Sequence, residues 1–588
     1  MNRLTKILRW RVRHLSDKRF AVILSVLIGV FVGTASVVLK SMVGGIEHLL
    51  RSETFVTVQQ YFYFALPVIG VGLTLIFIHF ILRKSLGNGI GYLLYRVGRK
   101  SSAIDRVYMY GQIIASSLTV GFGGSVGLEG PMVLTGSAWG SNFAKFFHLN
   151  RQYRVLLLGC GSSAAIASMF NAPVAGVIFT LEVVLAEIKM GMLVPLLISS
   201  VTGTVITKLF LSESNTFSFK IIDGFHASEI PSYAILGIMC GLLAVFFIRT
   251  NIYMYKEAAK MKSIVGKWAF GGVMLGLLIF IFPTLYGEGY WTIKALLNGN
   301  SGLLMDGSFF ESFKDQEVYV LLFIAASILL KSIATGLTKF AGGIGGVFAP
   351  SLLIGGLSGY LIARIINILE WAKVSESNFI LVGMGGLSAA ALHSPLTSIF
   401  LIAELTNGYE LFVPLMLVAA TAYGTAYYFE PFSFYTKVLA EQGDLIHTDK
   451  DKSLLVNMGI RQVIEKDLVS VQVGGDLNDL VKAISVSTRN IFPVVDEKNH
   501  FKGVILLDDV RKLIFRPELY DTTKIKSIMH APPEEIELNE NMEEVMDKFD
   551  RTQAWNLPVV NKGKYVGFVS KSKIFNVYRR LLQKESEV

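Results

Sequence analysis

The chemistry of this chain concentrates in a few glycine-rich loops. Residues 123–131 read GGSVGLEGP and residues 342–350 read GGIGGVFAP, both fitting GG-x-x-G-x-x-x-P at a separation of 219. A third loop, GNGIG, spans 87–91. Each precedes an apolar run. A glycine-rich loop that opens a helix leaves N–H groups pointing at one spot, and the positive end of the helix dipole adds to the attraction for an anion there. Close helix packing through small residues uses the same composition. Three such loops, two of them repeat-related, favour the anion. Glu129 is the odd residue among them. A carboxylate at membrane depth is costly and is a functional candidate by default. It can occupy the anion site as a tethered competitor and leave when protonated; the other reading is an N-cap acid at the water interface.

Downstream, NAPVAGVIFTLE (171–182) matches HSPLTSIFLIAE (393–404) at a separation of 222. Each has a proline followed nine positions later by a glutamate, Pro173 to Glu182 and Pro395 to Glu404. Their equivalence favours a structural role for both acids. Two motifs in one order at nearly one offset define two homologous halves, about 20–215 and 230–430; whether they run parallel or inverted is left open by the sequence.

The elements that carry these loops are set by composition. The chain has 588 residues, 52% hydrophobic and 17% charged, with mean hydropathy +0.51. Soluble domains carry about 25% charged residues. This is a membrane protein, not a disordered chain, a collagen-like fibre or a disulfide scaffold. Cys160 and Cys240 sit in apolar runs and read as buried small hydrophobes. The first 440 residues hold 33 Lys+Arg against 21 Asp+Glu, and the last 148 hold 22 against 24. The basic excess belongs to the membrane part. It suits lipid head groups or an anionic substrate, and no basic-aromatic stripe for nucleic acid is visible.

Seven basic residues and one acid in 1–19 place the N-terminus in the cytoplasm. The polar tail belongs on the same side, so the number of crossings is expected to be even. Apolar segments then follow closely, at about 20–43, 61–83, 109–122, 153–170, 172–185, 190–211, 231–249, 268–283, 317–334, 351–369, 378–392, 395–405 and 411–428. Several are shorter than the ~20 residues of a full span. Short, glycine-broken segments in matching positions of two halves point to a transporter-type binding site.

With these residues in view, the chain resembles the CLC family of chloride channels and chloride/proton exchangers over about 20–440. The matching stretches are GLEGP (127–131), GVFAP (346–350), NAPVAGVIFTLE and the tyrosine of SFYTKVL (433–439). The resemblance implies an all-α polytopic fold, an inverted repeat of tilted, broken helices. It also implies a homodimer with one anion pathway per subunit. Glu129 then matches the gating glutamate, and Gly130, next in the same motif, belongs to the anion-binding residues. The N–H groups of Val347 and Phe348 hold the central anion, with the hydroxyl of Tyr435 on the same ion. Gly87 and Asn88 complete the site. From the residues alone, a phenol on an apolar stretch is more often packing.

Two departures from the family pattern matter. Asn88 and Gly91 stand where Ser and Pro are usual, which affects selectivity among small anions; an amide can still donate to one. Val183 replaces the second glutamate usual in exchangers, which favours passive conduction. Glu187, four residues on, is a substitute on the same helix face. Chloride/proton antiport is the alternative.

From about Val456 short strands and amphipathic helices appear. NIFPVVDEKNHFKGVILLDDVRKLI (490–514) parallels WNLPVVNKGKYVGFVSKSKIFNVYRRLL (555–582). Strand–turn–strand–helix twice over resembles a CBS-domain pair. The expected layout is a basic terminus 1–19, a membrane domain 20–440, a linker 441–455 and units at 456–522 and 523–588. An adenine nucleotide is a candidate ligand. Asp509 matches the ribose-binding Asp of one unit, but Leu506 stands at its hydroxyl position. Ser570 matches the phosphate-binding hydroxyl of the other, but Lys573 stands at its Asp position. Lys571 and Lys573 could meet phosphates, although exposed lysines are usually just solvated. The other reading of the tail is a dimerisation and gating scaffold.

A CBS-regulated cation transporter is a rival. It would need converging carboxylates for a hard cation, and the membrane part shows no clustered acidic pair. No HExxH, GxSxG, GxxxxGK[ST] or CxxC spacing appears, which argues against an enzyme. No resident cofactor is expected; chloride is the transported ligand.

Overall fold

The computed structural model describes residues 14–50, 59–87, 89–98, 102–185, 190–211, 224–441 and 458–586. The basic residues 3–13, most of the expected linker, Asn88 and Glu187 lie outside them. Two compact units are present, Met1–Leu445 and Ile446–Val588. Among the described residues, nine helices are long and apolar enough to cross a membrane.

The first unit is helical. Its first half runs α1 (Asp17–Leu50), α2 (Gln59–Ile76), α3 (Gly89–Gly98), α4 (Gly111–Gly121), α5 (Glu129–Phe146), α6 (Arg151–Phe170), α7 (Pro173–Phe179) and α8 (Met190–Phe210). Its second half runs α9 (Ile230–Lys260), α10 (Ile264–Ile281), α11 (Tyr290–Leu297), α12 (Glu317–Phe340), α13 (Phe348–Ile368), α14 (Glu376–Leu392), α15 (Pro395–Leu405), α16 (Phe412–Phe429) and α17 (Phe434–Glu441). Prolines at the first position of α7 and α15 start these helices where a missing N–H costs nothing.

The sequence gives no apolar segment for α5, yet this helix is almost wholly buried. Its Gly, Ser and Thr residues lower its hydropathy and at the same time let it pack closely. A Cβ at Gly140 would stand 1.9 Å from the Leu157 carbonyl oxygen of α6. The equivalent Gly359 of α13 would stand 1.9 Å from the Phe379 oxygen of α14. The two helix pairs are thus twins, each pressed backbone to backbone. α9 extends to Lys260, beyond the apolar run, because its last turns carry polar residues that need no lipid.

Repeat-equivalent residues also meet one another. Gly127 and Gly346 exchange backbone hydrogen bonds at 2.9 and 2.6 Å. A pair in which each partner does to the other what is done to it marks a two-fold axis. This is the inverted-repeat arrangement that the resemblance implies.

The second unit contains two three-stranded sheets. One orders β1 (Val471–Gln472), β2 (Ile491–Val495) and β3 (Phe501–Leu506); the other orders β4 (Ile536–Glu537), β5 (Asn556–Asn561) and β6 (Lys564–Ser570). In each, the first pair is parallel and the second antiparallel, with Val494 opposite Gly503 and Val559 opposite Gly567. Helices α18 (Leu477–Val486) and α19 (Met542–Thr552) each begin with a capping box, from Asp476/Asp479 and Asn541/Glu544. Helix α20 (Lys571–Ser586) follows β6. The two halves exchange leading segments: Glu465 pairs with Phe568, and His530 pairs with Val504. Met458, Ile460 and Val463 accordingly join the core of the second sheet.

Candidate functional site

The two glycine motifs converge at the Gly127–Gly346 bridge. α5 and α13 start just beyond it, so two helix N-termini meet at one place. Gly130 lies against Gly346, where a Cβ would come within 3.0 Å of its Cα. Val347 and Phe348 are buried. As the cap and first residue of α13, their N–H groups have no intrahelical acceptor, and no other acceptor takes them among the described residues. Phe348 is fixed by ring contacts with Phe170 and Phe179, at 5.4 and 6.4 Å.

The side chain of Glu129 is buried and folds back over Gly127, where a Cβ would stand 2.2 Å from Oε2. Tyr290 donates its hydroxyl to Glu129 Oε1 at 2.6 Å. Among the described residues Oε2 has no hydrogen-bond partner of ordinary geometry, although the Ala349 amide of α13 faces the carboxylate. The carboxylate therefore lies at the N-terminus of α13, where partial positive charge gathers. Among the described residues the buried Tyr435 hydroxyl also lacks a partner, and it interacts electrostatically with Glu129. The Tyr290 hydroxyl and the Ala349 amide face the Glu129 carboxylate, beside the start of α13 at the buried Val347 and Phe348.

Gly87 differs from them. Its N–H donates to the Tyr108 hydroxyl at 2.9 Å, so it presents no free amide. Gln112 Nε2 reaches its carbonyl at 3.5 Å.

Glu182 and Glu404 take reciprocal structural positions. Glu182 accepts from the Leu396 and Thr397 amides and the Thr397 hydroxyl at 3.1, 2.8 and 2.6 Å. Glu404 accepts from the Val174 and Ala175 amides at 3.0 and 2.8 Å. Each caps the short helix of the other half. Val183 is half-buried on the wide turn Thr180–Val184.

Sequence reasoning missed Tyr290 and Glu288, both on the turn GEGY (287–290). Glu288 Oε1 accepts the Leu128 amide at 3.1 Å, one residue before Glu129, and interacts electrostatically with Glu129. The expectation of no acidic pair in the membrane part is therefore corrected: the loop after α10 returns a second carboxylate to the first. An acid between glycines in an apolar context was the available signal. Beside it, buried Lys331 donates to the Leu285 and Gly287 carbonyls at 3.2 and 2.8 Å. Among the described residues, no group of three or more metal-ligating side chains occurs.

In the second unit, Ser570 Oγ accepts the Lys573 amide at 3.1 Å and lies 3.4 Å from Glu465 Oε1. Nearby Arg489 bonds Asp467 through two nitrogens, at 3.0 and 2.7 Å, and holds that carboxyl below its ordinary range. Asp509 stands 3.5 Å from His530. Asp509 lies on the helical turn Leu507–Val510 after β3 and Ser570 ends β6, each with a protein partner already in reach.

The profile of the voltage gated chloride channel family matches residues 75–427, and that of the CBS domain matches 460–516 and 525–580. Chloride channel protein CLC-f of Arabidopsis thaliana is 27% identical over 69% of this chain and 57% of its own length. The chain thus spans little more than half of that relative. A ClcB-like chloride channel protein of Ralstonia nicotianae is 30% identical over 56% of this chain and 74% of its own. Among solved structures, a slow cyanobacterial Cl-/H+ antiporter superposes with a TM-score of 0.60 at 22% identity, over 73% of this chain and 99% of its own. A eukaryotic CLC transporter gives 0.59 at 16% identity, over 94% and 97%. Spans, paired glycine motifs and tail agree with these matches: the chain belongs to the voltage-gated chloride channel (CLC) family and is a multi-pass membrane protein with a C-terminal CBS pair.

Proposed function

We propose that the protein carries chloride or a similar small anion across the membrane, with Glu129 as the gate. The observation that carries this reading is the place of the Glu129 carboxylate. It lies among the donors an anion would use, the α13 N-terminus and the Tyr435 hydroxyl. A tethered anion and a free one compete for the same spot, and protonation of the tether releases it. Val347, Phe348 and Tyr435 are the ion's ligands in this reading. Gly130 permits the close approach of the two loops. Gly87 contributes only if its amide leaves Tyr108, and Asn88 lies outside the described residues.

Titration calorimetry of detergent-purified protein tests this. Glu129→Gln removes the competing charge, so chloride binds more tightly than in the unmodified protein at neutral pH. Equal affinities would contradict the gate.

Val183 favours channel-like conduction, because its side chain cannot carry a proton. A second reading, anion/proton exchange, is favoured by the carboxylate pair Glu129–Glu288. A chloride gradient that drives uphill proton movement would decide for exchange. The subunits are proposed to pair as a homodimer, with one pathway each. For the CBS pair we favour a scaffold over an adenine-nucleotide site, because Ser570 caps α20 and faces Glu465.

A further inference from the structure

The elbow between α16 and α17 is built from charge. Glu430, its first residue, is buried. Arg249 of α9 donates through Nε to Glu430 Oε1 at 2.7 Å, and its Nη2 donates to the Phe429 carbonyl that ends α16, at 3.2 Å. Lys437 of α17 donates to Glu430 Oε2 at 2.5 Å. Further along, Lys256 of α9 pairs with Glu441, the last residue of α17, at 2.9 Å. Arg249 and Lys256 lie about two turns apart on one face of α9. The polar end of α9, beyond its apolar run, is thus a rail on which α17 is held.

Tyr435 lies between these ties. Helix α17 has only 8 residues, too few to be stable without support from outside. Among the described residues the Tyr435 hydroxyl has no hydrogen-bond partner, so its place follows the backbone that carries it. Phe434 anchors the start of the helix, with the Phe247 ring at 6.1 Å and Lys339 Nζ 4.3 Å from the ring centre. Glu430 and Glu441 hold the rest.

We propose that Glu430 is a positioning residue: through Arg249 and Lys437 it fixes α17 so that the Tyr435 hydroxyl meets the anion. This rests on the reading of Tyr435 as a ligand of the ion. A carboxylate repels an anion, so Glu430 favours binding only through the geometry it imposes. Removing its charge therefore tightens chloride binding if electrostatics decides and weakens it if position decides.

The experiment is titration calorimetry of chloride on the full-length protein in detergent. Tyr435→Phe should weaken binding by about tenfold, the worth of one hydrogen bond to an ion. Glu430→Gln should weaken it by roughly threefold, about half of that free energy. Glu430→Asp keeps the charge and should bind more tightly than Glu430→Gln. In a Tyr435→Phe background Glu430→Gln should change nothing further, a result that general loosening of the fold would not give. The Arg249 and Lys437 side chains are 60% and 22% exposed, so water covers them once Glu430 is neutral. Where Glu430→Gln fails to fold, Lys437→Gln leaves the Arg249 pair intact, and its loss should likewise vanish in the Tyr435→Phe background. Unchanged or tighter binding in Glu430→Gln, or an equal loss with and without the Tyr435 hydroxyl in either variant, overturns the proposal while Tyr435 stands as a ligand. Unchanged binding in Tyr435→Phe would instead overturn the ligand reading and this proposal with it.

Discussion

Glu182 and Glu404 cap each other's helices. The carboxylate of one half receives two amides that open the short helix of the other, and its equivalent returns the contact. Each acid is a negative charge at a helix N-terminus, which the dipole stabilises, and together they tie the halves.

Removing either cap should weaken the membrane unit. Glu404→Ala is expected to cost about 0.5–2 kcal/mol, the usual range for a lost N-cap. Glu182→Ala should cost somewhat more, since Thr397 also gives it a hydroxyl. Thermal unfolding in detergent measures both. A large loss for one and none for the other would contradict the reciprocal role.

The glycine contacts predict a second pattern. Gly140→Ala and Gly359→Ala put a methyl against a backbone oxygen, and each should lower the unfolding midpoint. Gly424→Ala meets nothing within 4 Å and gains helix propensity of about 1 kcal/mol, so it should be neutral or stabilising. Equal loss in all three would show that glycine flexibility, not close approach, is what matters.

In the CBS unit Asp496 accepts the His500 amide at 2.8 Å, with Lys502 and the His500 ring nearby. These donors, the amide foremost, push its carboxyl down to about 2. A depressed acid stabilises above its unfolded value and loses that contribution as pH falls toward the folded one. The β2–β3 turn should therefore hold at neutral pH and loosen from about pH 4 toward 2, given an ordinary Asp near 3.9. Asp496→Asn should speed hydrogen exchange over 491–506 at neutral pH; unchanged exchange would contradict the role.

Much of this site was legible in the sequence because its signals are local. GLEGP and GVFAP place a carboxylate and free amides within a few residues, and repetition marks them as partners. The tail was legible for the same reason, its strands being short alternating runs bounded by turns. Helix α5 was not, because interior packing in a membrane uses small residues that lower hydropathy. Glu288 was not, because it reaches Leu128 only through tertiary folding, across 160 residues. The exchange of leading segments between the CBS sheets is likewise long-range.

The central claim is anion passage gated by Glu129. The most direct measurement is chloride release from chloride-loaded liposomes, with voltage clamped by potassium and valinomycin. Unmodified protein should release chloride, faster as the pH falls, and Glu129→Gln should release it independently of pH. Cation flux without chloride release would contradict it.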